Sequence, residues 1–283
     1  RHRLNSDGMI VAPFCLNALH ANIAQMVGFS AVYMTGAGTA AERGYPDVGL
    51  ITQTEMVQAA DYITRAVDVP VIADCDTGYG NPINVWRSVR EYEKAGVSGL
   101  HIEDQVFPKK CGFFEGKQVI PPAEAVQKIR AAVDARTDDD FVIIVRTDAL
   151  AVTGWDDTLH RCERYVDAGA DVLFVEGIRS DAEAKMTADV FDVPLMYNFV
   201  ETGKSPLIPA QELERLGFKL VIFPVSAMLT VSKVVASLMR ELKQYGTTEH
   251  LLDNMMGLVD CFNLMGLDRM LALDADYASS TEA

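Results

Sequence analysis

The sequence predicts an α/β fold: a (β/α)8 TIM-type barrel carrying additional C-terminal helices. Three observations lead there. A unit made of a helix end, a glycine-containing turn and a short apolar strand with a polar tip occurs four times, as VGFSAVYMTG at 27–36, AGVSGLHIED at 95–104, AGADVLFVEG at 168–177 and LGFKLVIFPV at 216–225. Four more apolar runs, at 9–12, 69–74, 141–147 and 193–198, fit between these copies and bring the strands to eight. Helical periodicity fills the gaps, and strand-helix alternation repeated this often fits a barrel of about 250 residues. A doubly wound open sheet is the rival, but the GxGxxG turn that normally follows its first strand is absent.

In chain order, the strand at 9–12 leads to a helix at 17–26, and the strand inside 27–36 leads to a helix at 53–66. The strand at 69–74 precedes a helix at 83–94, and that inside 95–104 precedes one at 123–135. The runs at 141–147 and 168–177 precede helices at 156–167 and 181–191. The last two strands, at 193–198 and 216–225, precede helices at 210–216 and 227–245. In each repeated unit the glycine ends a helix by adopting a left-handed backbone. The strand bodies are apolar enough to be buried on both faces, as parallel strands are. Residues 1–245 are therefore read as the catalytic barrel and 246–283 as a helical extension. The segment 249–264 reads as one helix with too many apolar side chains to be solvated. It needs a second surface, and a neighbouring subunit is expected to supply it, with C-terminal helices swapped in a homotetramer.

The chain has 283 residues, 49% of them hydrophobic and 23% charged, which excludes a disordered tail, a fibre or a small disulfide-stapled domain. Its net charge of −15 disfavours nucleic acid and anionic membranes as partners. The five cysteines form no CxxC pair, so reduced thiols and a cytoplasmic location are expected. No apolar run approaches the ~20 residues of a membrane span, and no leader-like apolar run opens the sequence.

In a β/α barrel the site lies at the carboxyl ends of the strands. Those ends are polar throughout: Tyr33 to Gly38, Asp74 to Gly80, His101 to Gln105, Arg146 to Asp148, Glu176 and Asn198. Asp74 and Asp76, two apart, can share a face, and Glu103 arrives from the next strand. Three converging carboxylates repel unless protonated or holding a cation, and oxygen-only ligands suit Mg²⁺, with Mn²⁺ also possible. The rival reading makes each aspartate a helix cap. Arg146 ends an apolar strand and needs an anion, either from the protein or from a carboxylate substrate. Thr35, Gly36 and Ala37 form a small-residue turn able to offer backbone N–H groups. Cys111 sits among Lys109, Lys110 and Gly112 on a long loop at 105–122 that can close over a substrate, and it can serve as acid, base or nucleophile.

The stretches YMTGAG at 33–38, GYPDVGLITQTEM at 44–56, DCDTGYGN at 74–81 and HIEDQVFPKKCG at 101–112 resemble the isocitrate lyase and phosphoenolpyruvate mutase superfamily. So do FVIIVRTDAL at 141–150, AGADVLFVEG at 168–177 and YNFVETGKSP at 197–206, and the likeness is to the 2-methylisocitrate and 2,3-dimethylmalate lyase branch. The resemblance implies a Mg²⁺-dependent lyase that cleaves the C2–C3 bond of a 2-hydroxy acid. It implies Asp74, Asp76 and Glu103 around the metal, with Asp47 behind them. Thr35, Gly36, Ala37, Gly112, Arg146, Glu176 and Asn198, together with Asp74, would bind the substrate. Tyr33 would help remove the hydroxyl proton, Cys111 would protonate the leaving carbanion, and Lys109 would be the catalytic lysine beside it.

Two positions depart from the lyase pattern, and a third bears on a neighbouring class. Phe113 replaces the usual histidine after Cys-Gly, and Val200 stands where 2-methylisocitrate cleavers carry threonine. Both point to a substrate less polar at C3, such as an alkylated malate. Pro224 stands where oxaloacetate hydrolases of the superfamily place a serine, although Ser226 lies two residues on. Oxaloacetate decarboxylase or hydrolase and phosphonomutase activity are the alternatives, and a non-catalytic interaction barrel is the third.

Overall fold

The computed structural model describes residues 1–112 and 114–279. Eight strands form: β1 Ile10–Pro13, β2 Val32–Met34, β3 Val71–Asp74, β4 Gly99–Glu103, β5 Val142–Thr147, β6 Val172–Val175, β7 Met196–Asn198 and β8 Leu220–Phe223. The strands pair in parallel, in a five-stranded sheet ordered β2-β3-β4-β5-β6 and a three-stranded sheet ordered β1-β8-β7. Single bridges, Phe14 to Tyr33 and Leu173 to Leu195, join the two sheets at both edges. The glycine of each repeated unit, at 28, 96, 169 and 217, has a positive φ. There the chain reverses into the next strand at a position that any Cβ would strain.

Two apolar layers follow from the period-two alternation of strands. Ile72, Ile144, Val172, Phe174, Met196 and Ile222 pack in one cluster on one face of the strands. Val71, Ala73, Ile143, Val145, Leu173 and Val221 pack against the helices in the other. Continuing the first parity by two residues puts Thr35, Asp74, Arg146, Glu176 and Asn198 on the first face, and Glu103 joins them because Leu100 and Ile102 face the helices. Register sets their neighbours, Asp74 beside His101 and Glu103 beside Arg146. Burial that holds the fold together thus delivers the charged side chains to one end. The helices that follow are well started: Thr52 and Asn81 each form a capping box with the third helical residue, a device worth about 1 kcal/mol per cap.

Two expectations are corrected. The small-residue turn after β2 is the start of a short helix, Gly36–Glu42. Its glycines and alanines carry no apolar periodicity, so the sequence pattern does not announce it. The expected continuous helix at 249–264 is broken: a 3₁₀ turn Glu249–Asn254 is followed by an extended Met255 and a separate helix Leu258–Asn263. A further helix, Leu267–Ser279, closes the described chain. From Ser226–Tyr245 onward no described helical residue is buried, and Leu258 is 71% exposed. The last four residues of the 246–283 extension lie outside the described residues, as does Phe113.

Candidate active site

Asp74 closes β3 and is buried. Its Oδ2 accepts the Gly36 N–H at 2.9 Å and its Oδ1 accepts the Asp76 N–H at 2.9 Å, with His101 Nε2 3.6 Å away. Burial pushes its pKa up, but His101, Lys109 and the two N–H donors outweigh that and hold it at about 2. Asp76 follows in a left-handed conformation, with φ 45°. Burial and the Asp74 charge raise its pKa to about 6 against the pull of Lys109. Glu103 is driven well above the carboxylate range, by burial first, and its Oε1 is buried without a hydrogen-bond partner among the described residues.

The carboxylates do not meet in the way the strand spacing implied. Among the described residues no three Asp, Glu, His or Cys side chains gather as a direct metal cage. The buried Lys109 ammonium stands between them, 2.6 Å from Asp47 Oδ1 and 2.8 Å from Asp76 Oδ1. Burial alone would lower its pKa, but Asp76, Asp74, Asp47 and Glu103 together raise it. Repulsion among the acids is therefore relieved by a cation from the chain's own loop. The Gly36 N–H, expected to face an anionic ligand, is likewise taken by Asp74.

Arg146 finds its anion inside the protein. Its Nε and Nη2 bind Asp148 at 2.9 and 3.0 Å, and its Nη1 lies 3.3 Å from Glu103. The guanidinium rests over the Phe174 ring at 5.2 Å. Behind it, the buried Asp104 accepts the Thr147 hydroxyl, the Asp148 N–H, the Tyr165 hydroxyl and Arg161 Nη1. Tyr33 is buried with its hydroxyl 2.7 Å from His101 Nε2. Burial lowers the His101 pKa to about 4, so the imidazole is neutral near pH 7, and burial also keeps Tyr33 protonated by raising its pKa.

The 105–122 loop lies down on these strand ends. Gln105 fixes its start by bonding both the carbonyl and the N–H of Lys110. The Cys111 N–H donates to the Asp47 carbonyl at 3.2 Å. Gly112 is pressed so close that a Cβ there would stand 2.6 Å from Glu176 Oε1 and 2.7 Å from Arg146 Nη2. Lys117 folds back, its Nζ 2.7 Å from the Gly112 carbonyl and 2.5 Å from Asp148 Oδ1.

Under the loop is a cleft of about 250 Å³. Cys111, Lys109, Tyr33 and Arg146 all line it, as do Asp47, Asp74, Thr35, Ala37, Gly112, Glu176 and Asn198. Three expected residues, Gly36, Asp76 and Glu103, do not; they stand behind the lining. Asn198 donates to Glu176 at 2.9 Å. Apolar side chains also line the cleft, among them Phe174, Val200, Ile222 and Pro224. Sequence reasoning did not single out His101, Asp104, Lys117 or Asp148. The strand-end position of His101, Asp104 and Asp148 was a usable signal; Lys117, in a glycine-rich loop, offered none.

A family model described as phosphoenolpyruvate phosphomutase matches residues 1–243. The chain belongs to the phosphoenolpyruvate mutase/isocitrate lyase superfamily. It is 43% identical to 2,3-dimethylmalate lyase of Eubacterium barkeri over 99% of this chain and 97% of that protein. It is 40% identical to 2-methylisocitrate lyase of Aeropyrum pernix, over 100% of this chain and 91% of that one. Among solved structures, an oxaloacetate acetylhydrolase with 3,3-difluorooxalacetate superimposes with a TM-score of 0.93 at 38% identity, covering 98% and 95% of the two chains. A phosphonopyruvate hydrolase complexed with oxalate and Mg²⁺ gives 0.88 at 28% identity over 98% and 96%. This superfamily member is an enzyme, and the named relatives in its lyase branch are carbon-carbon lyases.

Proposed function

We propose that the chain is a Mg²⁺-dependent lyase that breaks the C2–C3 bond of a malate alkylated at C3. One observation carries this reading: Cys111 lines the same cleft as Arg146, Asp74 and Tyr33, and Val200, Ile222 and Pro224 line it too. Mutase chemistry leaves no carbanion and has no use for a thiol there. Carbon-carbon cleavage leaves one at C3, and a loop cysteine is placed to protonate it. The valine and proline accept alkyl groups and offer a third carboxylate no hydrogen bond. The 2,3-dimethylmalate lyase relative points the same way.

The donors suit a hard divalent cation. They are oxygens only, and Glu103 Oε1 is a buried acceptor with no hydrogen-bond partner among the described residues. Asp74, Asp76 and Glu103, with Asp47 beyond them, would hold the ion largely through its waters, and the complex of the phosphonopyruvate hydrolase relative contains Mg²⁺. Bound there, the ion supplies Lewis-acid stabilisation of charge on the C2 oxygen. Arg146 orients the C1 carboxylate, while Thr35 and Ala37 border it on the other side. The C2 hydroxyl proton passes to the Tyr33 oxygen as the Tyr33 hydroxyl gives its own proton to His101 Nε2, 2.7 Å away and neutral near pH 7. The C2–C3 electron pair then stays on C3, a 2-oxo acid forms at C2, and Cys111 gives its proton to C3. Lys109 keeps Asp47 and Asp76 in place.

The hydrolase alternative places a serine at the position of Pro224; the serine that does line the cleft, Ser205, comes from a different loop. Pro224 and Val225 face the cleft, and the Ser226 hydroxyl is bonded to Glu201 instead. The wider architecture follows from the same reading. The bridges at 14 to 33 and 173 to 195 support closure of the eight strands into a barrel, residues 1–245 being its catalytic part. The exposed apolar side chains of the 246–283 extension support a homotetramer built by exchange of these helices. A panel of 2-hydroxy and 2-oxo diacids, assayed with MgCl₂ and with EDTA, tests the proposal. Release of a 2-oxo acid from a branched malate only with Mg²⁺ supports it, and turnover of oxaloacetate alone would reject it.

A further inference from the structure

We propose that Lys117 and Asp148 form a latch that holds the Cys111 segment down over Arg146, making both of them positioning residues for the reaction. This rests on the lyase reading above for the use made of Cys111, but the latch itself rests on geometry. Asp148 is fully buried and divides its carboxylate between two cations. Oδ2 binds Arg146 Nε, while Oδ1 binds both Arg146 Nη2 and Lys117 Nζ. From the same ammonium a second hydrogen bond runs to the Gly112 carbonyl, one residue from Cys111. Asp148 cannot drift, because Asp104 accepts its N–H at 3.0 Å and the hydroxyl of Thr147 at 2.7 Å. A rigid anchor on the strand ends is thereby tied to the loop through one lysine.

The physical chemistry makes this tie conditional on loop position. Lys117 gives up its hydration only in exchange for the Asp148 carboxylate and the Gly112 carbonyl, and a buried ammonium without them would be costly. If the loop lifts, Lys117 returns to water while Asp148 keeps Arg146. The pair is therefore made when Cys111 is in place and broken when it is not. Arg146, which the lyase reading sets on the substrate carboxylate, shares Asp148 Oδ1 with Lys117, so the acid and the carboxylate clamp are aligned through one oxygen atom.

The test uses Lys117→Met, which has no donor, and Lys117→Gln, which keeps one donor for the Gly112 carbonyl. Alkylation of Cys111 by N-ethylmaleimide is followed in the ligand-free enzyme, with the labelled peptide identified by mass spectrometry, alongside kcat/KM and Tm. Labelling is expected to quicken at least fivefold in Lys117→Met and by less in Lys117→Gln. Turnover is expected to fall by about 10²-fold in the methionine variant, the usual cost of misplacing a reacting group by about 1 Å. Wild-type labelling and turnover in both variants would overturn the latch. So would loss of turnover at unchanged Cys111 labelling, which assigns Lys117 to substrate contact or to the fold. Failure of the lyase reading is separable: full activity of Cys111→Ser would remove the thiol from the chemistry without changing the labelling rates.

Discussion

Adding one methyl group at Gly112 tests how tightly the loop must seat. A Cβ there would lie 2.6 Å from Glu176 Oε1, 2.7 Å from Arg146 Nη2 and 2.8 Å from Glu176 Cδ. Ordinary contact distances are about 3.5 Å, so the overlap is roughly 0.7–0.9 Å. The neighbours cannot easily yield: Arg146 is gripped at two points by Asp148, and Glu176 holds Asn198. The loop must therefore lift by nearly 1 Å and carry Cys111 with it. A displacement of that size costs about 10²-fold in rate, equivalent to about 2.7 kcal/mol of barrel-end transition-state stabilisation. Gly112 has no positive φ, so the substitution strains no backbone, but a lifted loop loosens the Lys117 bonds to Gly112 and Asp148, so Tm is expected to fall by a few degrees. Release of 2-oxo acid from the best malate of the panel, coupled to NADH oxidation, gives kcat/KM, and calorimetry gives Tm. A Gly112→Ala enzyme with normal Tm and kcat/KM within threefold of wild type would refute the seated-loop account.

Three other outcomes follow from the same geometry. Cys111→Ser is expected to lower kcat at least about 10²-fold while oxalate binding, read by calorimetry with Mg²⁺, stays near wild type; normal kcat would show that another group delivers the proton. His101 has its pKa lowered from 6.5 to about 4 by burial, so between those values the unfolded chain takes up a proton that the folded one refuses. Stability from this group is complete above pH 6.5 and is lost as pH falls to about 4, by about 3 kcal/mol at about 1.4 kcal/mol per unit. Urea melts across that range should show the slope, and His101→Gln should flatten it. Asp104→Asn weakens the partner of buried Arg161 and is expected to cost about 3–5 kcal/mol, or a Tm lower by about 10 °C; a change under 2 °C would mean the cluster relaxes around the loss.

The strands were legible because their apolar bodies and polar tips are local properties of the chain. The register that puts Glu103 beside Arg146 and Asp74 beside His101 follows once those strands lie parallel and in order. Elements without periodicity were not legible: the Gly36–Glu42 helix is made of small residues, and the break at 255–257 interrupts an otherwise helical pattern of apolar side chains. For the site, the sequence shows which acids gather but not what neutralises them. Lys109 reaches Asp47 from 62 positions away, and Lys117 reaches Asp148 from 31, distances over which no spacing rule operates. Polar residues facing one another across a fold are set by loop trajectory, and the trajectory of 105–122 is decided by contacts such as Gln105 with Lys110.

Lys109, Cys111, Gly112 and Lys117 all reach the cleft from a single stretch of nine residues. Under the proposed reading, reaction and exchange with solvent would therefore draw on the same short segment, since the groups that serve the substrate also cover it. An enzyme built on the proposed reading would turn over no faster than that roof opens.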